Sequence, residues 1–375
     1  MAAPAHTPVW GDPAGAENPG PLRGPVSADV CVVGLGGSGL AAVGAALAAG
    51  ASVVGVDAGP VAGGAAGRNG GFLLAGGALF HNDAVAAWGE ERAVGIYQES
   101  LRELDRLEAE LGAPIVRRVG SLRIPASPEE EQHCADQLAM LRRHDLPAEP
   151  AEGPTGRGLF VPTDGSVQPL DRCRLLARRA AAAGARLHCG STVTELSGTR
   201  VRTADGEIEC KAVVACVDGG IEVLFPELAG RARSARLQML ATAPVEPRFP
   251  SPVYDNHGYD YWQQLPDGRV ALGGGRSLHA DAEWELPPEP GDDVQAYLDV
   301  LLRERLGIDA PVTHRWAGRI AYTPSRLPVF EELRPGVMVV GAHSGHGNVL
   351  GSAAGRSAMA MALGGPADRL AELLG

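Results

Sequence analysis

Short runs that are apolar but for Ser52 recur at residues 30–33, 52–56, 213–216 and 337–340, each closed by glycine or a polar residue. Runs of this length without polar alternation read as fully buried strands. A helix-forming stretch, 40–49, separates the first two and stops at Gly50, a natural C-terminal cap. Val94, Tyr97, Leu101, Leu104, Leu107 and Leu111 then fall at helical spacing on an otherwise charged segment. A second amphipathic helix is expected over 128–144, with Glu129, Glu130 and Glu131 in its first turn. Both helices read as structural. Asp171 is placed to cap a helix that runs to Ala183 and closes at Gly184. Strands at 185–189 and 193–196 follow, then a hairpin turning at Asp205-Gly206. From 236 to 320 the character is β-sheet with aromatic residues. Strands are predicted at 238–242, 259–265, 269–273 and 314–320, with a hairpin at Pro266-Asp267-Gly268 and one amphipathic helix, 292–306. The last apolar strand leads into Gly341-Ala342-His343-Ser344-Gly345-His346-Gly347-Asn348 and a small-residue helix, 350–363.

The stretch 28–57 carries the first chemical signal. Its apolar strand enters Gly34-Leu35-Gly36-Gly37-Ser38-Gly39, a G-x-G-x-x-G turn, and the second strand ends in Asp57. Gly34 permits the tight turn, Gly36 lets backbone approach a pyrophosphate, and Gly39 lets helix and strand pack closely. The helix N-terminus offers unpaired N–H groups to phosphates, and Asp57 is spaced to accept the ribose hydroxyls. Strand, turn, helix, strand and acid together predict a dinucleotide site. No residue between Asp29 and Asp57 is charged, so a membrane span is the competing reading. The glycine cluster rules it out, because what remains is far short of the about twenty residues a span needs.

Composition narrows the setting. With 375 residues the chain makes one large domain or two joined ones. A net charge of −12 argues against nucleic acid or an anionic membrane as partner. The six cysteines (Cys31, Cys134, Cys173, Cys189, Cys210, Cys216) lack CxxC or zinc spacing, so no metal site is expected. Buried free thiols in a reducing cytoplasm fit them better than disulfides. Residues 1–27 lack the basic start and apolar core of a signal peptide and read as an extended leader over the surface. Lys211 is the only lysine.

Three separated motifs now resemble one family. The dinucleotide fingerprint, the loop Gly67-Arg68-Asn69-Gly70-Gly71 and the terminal strand–GAHSGHGN–helix are similar to the FAD-dependent D-amino acid oxidase superfamily. The glycine/sarcosine oxidase and γ-glutamylputrescine oxidase-like branch looks closest. Trp316 to Pro324 with Leu327-Pro328-Val329, Gly258 to Trp262, and Leu272 to Arg276 resemble that branch as well. The resemblance implies a Rossmann-like FAD-binding domain of the glutathione reductase type, built from 28–79, 152–225 and 326–375. An α+β substrate domain on a mostly antiparallel sheet, 80–151 and 226–325, would be inserted into it. It also implies dissociable FAD held by Gly34, Gly36, Gly37, Ser38, Gly39, Asp57, Gly67, Arg68, Asn69, Gly70, Gly71, Val193, Gly341, Ser344, Gly345, His346, Gly347 and Asn348.

The reaction implied is oxidation of a C–N bond in a small amine or amino acid. Hydride passes to flavin N5, and the imine product hydrolyses. Candidates for binding and orienting the substrate are Arg68, Tyr259, Tyr261, Arg276, Tyr322, His343 and His346. Tyr259 and Tyr261 share one strand face by period-two alternation, with Trp262 on the other. Arg68 and Arg276 suit a carboxylate. The chain departs from the family in two places. Sarcosine oxidase-like members carry a lysine that promotes reaction with O2 on the strand after the hairpin, where this chain has Val270-Ala271-Leu272. O2 as acceptor would then depend on His343, His346 or an arginine, and a dehydrogenase using a quinone or other acceptor is the alternative. Covalent-flavin members carry a cysteine where Ile320-Ala321 stands, hence the expectation of dissociable FAD. A non-catalytic flavin-binding protein is the reading from another class. Substrate identity and oligomeric state stay open.

Overall fold

The computed structural model describes residues 6–15, 18–113, 115–153, 156–284 and 287–375. Of the expected leader, residues 1–5 and 16–17 lie outside the described residues. Six strands form a sheet in the order 186–188, 53–56, 30–33, 212–216, 337–341, 329–334. Neighbours are parallel except the last pair. Val30–Val33, Val53–Val56, Ala212–Cys216 and Val337–Gly341 are buried at every position, as their unbroken apolar runs require.

The helices run in chain order as α1 (Gly37–Ala48), α2 (His81–Trp88), α3 (Glu90–Leu111), α4 (Pro128–Arg143) and α5 (Pro169–Ala182). They continue with α6 (Ile221–Leu224), α7 (Arg276–His279), α8 (Asp292–Val300), α9 (Leu350–Ala362) and α10 (Arg369–Leu374). Helices α1 and α9 pack so closely that a Cβ on Gly355 would lie 2.2 Å from the Ser38 carbonyl oxygen. Their small residues make that approach possible.

A second sheet of eight strands runs 312–322, 233–242, 270–274, 260–264, 253–255, 121–123, 156–161, 149–153. Its pairs are antiparallel except 253–255 with 121–123. One face of it, with Leu240, Trp262 and Leu272, packs on Val294 and Leu298 of α8. Tyr261 points the other way, toward the first domain, by strand alternation. The fold is thus a Rossmann-like α/β domain with an α+β insertion on a mostly antiparallel sheet.

Several expectations are corrected in detail. Helix α1 starts at Gly37 rather than residue 40, because the glycine turn itself closes the first helical hydrogen bond, Leu40 N–H to Gly36 O at 2.9 Å. The cap of α5 is Gln168, whose side chain accepts from the Asp171 N–H, with Pro169 opening the helix. The expected helix 292–306 is α-helical to Val300 and continues as a wider π-type turn over Leu301–Arg305. Tyr259 falls outside its strand, because Asn256 and His257 adopt φ of +49° and +55° and turn the chain before Asp260. The leader is no mere surface strap. Val9 and Trp10 are buried, Trp10 Nε1–H donates to the Asn69 carbonyl at 2.8 Å, and Gly24–Ser27 pairs as a strand with 206–209.

Candidate active site

The first strand–turn–helix unit builds, from backbone alone, a cradle of the kind that suits a phosphate. Gly34 adopts φ of +99°, and a Cβ there would sit 2.4 Å from the Cys216 carbonyl oxygen. The N-terminus of α1 has no side-chain cap and no acid in its first turn, so its N–H groups are free to face an anion. Asp57 is fixed by the Leu35 N–H on Oδ2 at 2.7 Å and the Gly59 N–H on Oδ1 at 2.8 Å. Its remaining lone pairs are available to hydroxyl donors, and burial pushes its carboxyl up from the ordinary value. This geometry fits the diphosphate and ribose of FAD. Val193 opens the strand Val193–Ser197 on a separate four-stranded sheet and lines no part of the cavity described next.

A cavity of about 430 Å³ lies against one face of the eight-stranded sheet. The glycine-rich loop and the terminal loop form one side of it, and they are stitched together. The Asn348 Nδ2 amide donates to Asn69 Oδ1 at 3.0 Å and to the Phe72 carbonyl at 2.9 Å. The Asn69 amide in turn donates to the carbonyls of Ala65 and Ala66. Arg68 lines the cavity, but its Nε donates to Gly63 O at 2.9 Å and its Nη1 to the carbonyls of His6 and Ala317. It anchors three segments. Gly70 backs onto the Tyr261 ring, where a Cβ would meet Cε2 at 3.0 Å.

The two terminal-loop histidines part company. His346 lines the cavity, its Nδ1 has no partner, and burial lowers its pKa to about 4. It is therefore neutral at physiological pH. His343 does not line the cavity; its ring packs under the first turn of α9, against Gly347 and Gly351. The Asp218 carboxylate explains that turn. It accepts from His343 N at 2.9 Å and from Ala321 N at 3.1 Å, tying the terminal loop to the strand that carries Tyr322. Ala342 and Ser344 take φ of +53° and +51° to make the bend.

Opposite these loops stand Leu237, Met239, Ile320, Tyr261 and Tyr322, with Arg276 and Arg326 beside them. Arg276 is 8% exposed, and its Cζ lies 4.5 Å from the Trp284 ring centroid and 4.7 Å from that of Tyr322. Its Nε has no hydrogen-bond partner, and no carboxylate pairs with it among the described residues. Arg326 approaches the same tyrosine ring at 4.9 Å. Tyr259 lines the cavity at its exposed rim.

The far wall was invisible in the sequence. His81 and Asp83 of α2, His133 and Gln137 of α4, and Asp164 all line it. His133 Nε2 lies 2.9 Å from Asp83 Oδ1, and the fully buried Arg123 holds Gln137, Glu130 and His133 in place. Asp164 accepts from Ser121 Oγ at 2.6 Å and Ala75 N at 2.8 Å, yet burial pushes its pKa up to about 7. The folded state therefore holds this proton more tightly than the unfolded chain does. Its stabilising share is full below pH ~4 and is lost as pH rises through about 7. Asp164→Asn is expected to remove that loss, by on the order of a few kcal/mol, so that its melting temperature exceeds the wild type's at pH 8 but not at pH 4. Equal shifts at both pH values would contradict it.

With this geometry in place, comparison with known proteins decides the family. A model of the DAO family, FAD dependent oxidoreductases, matches residues 29–361. The chain belongs to that family. This DAO-family enzyme is 26% identical over 371 residues to a probable oxidoreductase, OrdL, of Rhizobium meliloti, covering 92% of this chain and 85% of that protein. It is 26% identical over 385 residues to the gamma-glutamylputrescine oxidoreductase of Escherichia coli, covering 93% of this chain and 86% of that one. Glycine oxidase from Geobacillus kaustophilus shares its fold with a TM-score of 0.74 at 18% identity, over 91% of this chain and 95% of that one. FAD is thus the cofactor and oxidoreduction the class of reaction. Among the described residues no helix of the enzyme is long and apolar enough to cross a membrane.

Proposed function

We propose that this enzyme oxidises the C–N bond of a small amino acid or other carboxylate-bearing amine. Hydride acceptance is the chemistry that bound FAD supplies there. The observation that carries the substrate class is Arg276: a buried guanidinium, facing the cavity and lacking a carboxylate of its own among the described residues. A buried cation in that condition is satisfied by an anionic ligand. Tyr261 and Tyr322 wall the space beside it, and Ile320 and Met239 keep it dry. Neutral His346 offers a donor or acceptor without adding charge. The relatives named gamma-glutamylputrescine oxidoreductase and glycine oxidase support an amine or amino acid as substrate.

O2 is the acceptor in this reading. A second reading, a dehydrogenase passing electrons to a quinone or another acceptor, is favoured by the cavity wall, which holds no lysine among the described residues. Lys211 is exposed and bonded to Asp29 at 2.7 Å. The test is anaerobic addition of amino acids and of their decarboxylated amines to the purified protein. Bleaching of the flavin spectrum by amino acids supports the proposal; bleaching by simple amines alone overturns the carboxylate. Peroxide on re-aeration separates oxidase from dehydrogenase, and a flavin that nothing bleaches would favour a non-catalytic role. Among the described residues no cysteine lines the cavity. Acid-denatured protein is accordingly expected to release all its yellow colour, and colour left on the precipitate would mean a covalent link.

A further inference from the structure

Arg172 lies on α5 and has no role in the cavity chemistry. Its side chain is buried to 1% exposure. Nη1 donates to the Asn348 carbonyl at 2.8 Å, Nη2 donates to Ser352 Oγ, and Nε has no partner. Among the described residues no carboxylate touches it. Glu103 and Glu110 are the acids that face it at longer range, and both are bonded to Arg356. The guanidinium sits instead against Gly37, the first residue of α1, where a Cβ would lie 3.5–3.8 Å from Nη2, Cζ and Nη1.

Three helix N-termini converge on this point. Arg172 is in the first turn of α5, beside the first residue of α1, and bonded to groups at the start of α9. Neither α1 nor α9 carries an acid in its first turn, and the one in α5, Asp171, is exposed. Each N-terminus contributes about half a positive charge, so a buried arginine among them meets positive potential from all three, with Glu103 and Glu110 as the opposing charges at longer range. Such a placement is costly in the empty protein and becomes favourable when an anion covers the start of α1. The glycine turn is where the diphosphate of bound FAD would lie.

We propose that Arg172 is the buried counter-cation of the FAD diphosphate, acting through Gly37 from behind the glycine turn. The backbone cradle supplies direction and Arg172 supplies net charge. Removing it leaves the empty protein as stable as before, or more so, while weakening its grip on FAD. A purely structural arginine, valued for its bonds to Asn348 and Ser352, would do the reverse.

The test compares Arg172→Met and Arg172→Lys with wild type, each prepared as apoprotein and titrated with FAD. The Met variant is expected to raise the FAD Kd roughly ten- to hundredfold, as loss of a buried charge partner does. Its apoprotein should melt no lower than wild-type apoprotein. The Lys variant keeps the charge but not the forked geometry, and should recover most of the affinity. A Met variant with unchanged FAD affinity overturns the proposal. So does a Lys variant as weak as Met, or a loss of fold in both, since either makes the hydrogen bonds rather than the charge decisive.

Discussion

Arg276→Met is expected to lower kcat/KM for a carboxylate-bearing substrate by about a hundred- to several-thousandfold, since truncating one partner of a buried charged pair costs roughly 3–5 kcal/mol. The loss should fall mainly on KM. A carboxylate contact is made equally in the ground state and at the transition state, so its removal weakens uniform binding. A decarboxylated amine, having nothing to offer the guanidinium, should be handled by both proteins at similar low rates. FAD content and the flavin spectrum should not change, because the phosphate cradle and the paired Asn69 and Asn348 are built elsewhere. Arg276→Lys should fall between the two, keeping the charge but losing the fork and the stacking on Trp284 and Tyr322. Stability changes little, because the cation–π attraction forfeited, about 0.5–2 kcal/mol per ring, is offset by relief of an unpaired buried charge. Equal losses for amino acid and amine would mean that Arg276 shapes the wall without reading the carboxylate.

How much of this was legible in sequence depends on whether the signal is local. The phosphate cradle is local. Glycine spacing, flanking apolar strands and Asp57 all lie within one supersecondary unit, and the chain folds there as strand, turn, helix and strand. The terminal loop was legible as a segment but not residue by residue. His343 and His346 are three apart on a glycine-rich bend, and only the left-handed turns at Ala342 and Ser344 decide which ring reaches the cavity. Asp218, which sets that bend, is an ordinary aspartate after a strand. The far wall was missed for another reason. The apolar stripes of α3 and α4 reveal which face is buried, but they say nothing about the polar residues His133 and Gln137 that meet a cavity from the same helix. Arg172 fails similarly, because an arginine in a helix reads as solvated until the packing of α1 and α9 around it is seen. Trp10 was lost in a stretch whose proline and glycine content suggests a strap. One indole hydrogen bond to Asn69 makes it part of the cavity's support.

Gly39→Ala is expected to abolish FAD binding and destabilise the protein by more than about 4 kcal/mol, the range reserved for changes the backbone cannot absorb. A Cβ on Gly39 would lie 1.8 Å from the Gly34 carbonyl oxygen and 2.9 Å from its carbon, with the Cys216 side chain 3.4 Å away. Neither of the first two atoms belongs to a side chain that could swing aside. Relief requires the strand–helix turn to open by more than an ångström, and Gly34 is already held between Val56, whose carbonyl takes its N–H at 2.8 Å, and the Cys216 carbonyl. Opening it moves the N-terminus of α1 away from the diphosphate, so the cofactor loss and the stability loss have one cause. Gly44→Ala in the same helix provides the control. Nothing lies within 4 Å of its would-be Cβ, and alanine in a helix interior gains about 0.5–1 kcal/mol over glycine. That variant should bind FAD normally and melt slightly higher. The pair separates close approach from helix propensity, because the same methyl group is added to the same helix in both. A Gly39→Ala protein that stays yellow and melts near the wild type would show that the turn has slack, and would withdraw the close-packing account of the fingerprint along with it.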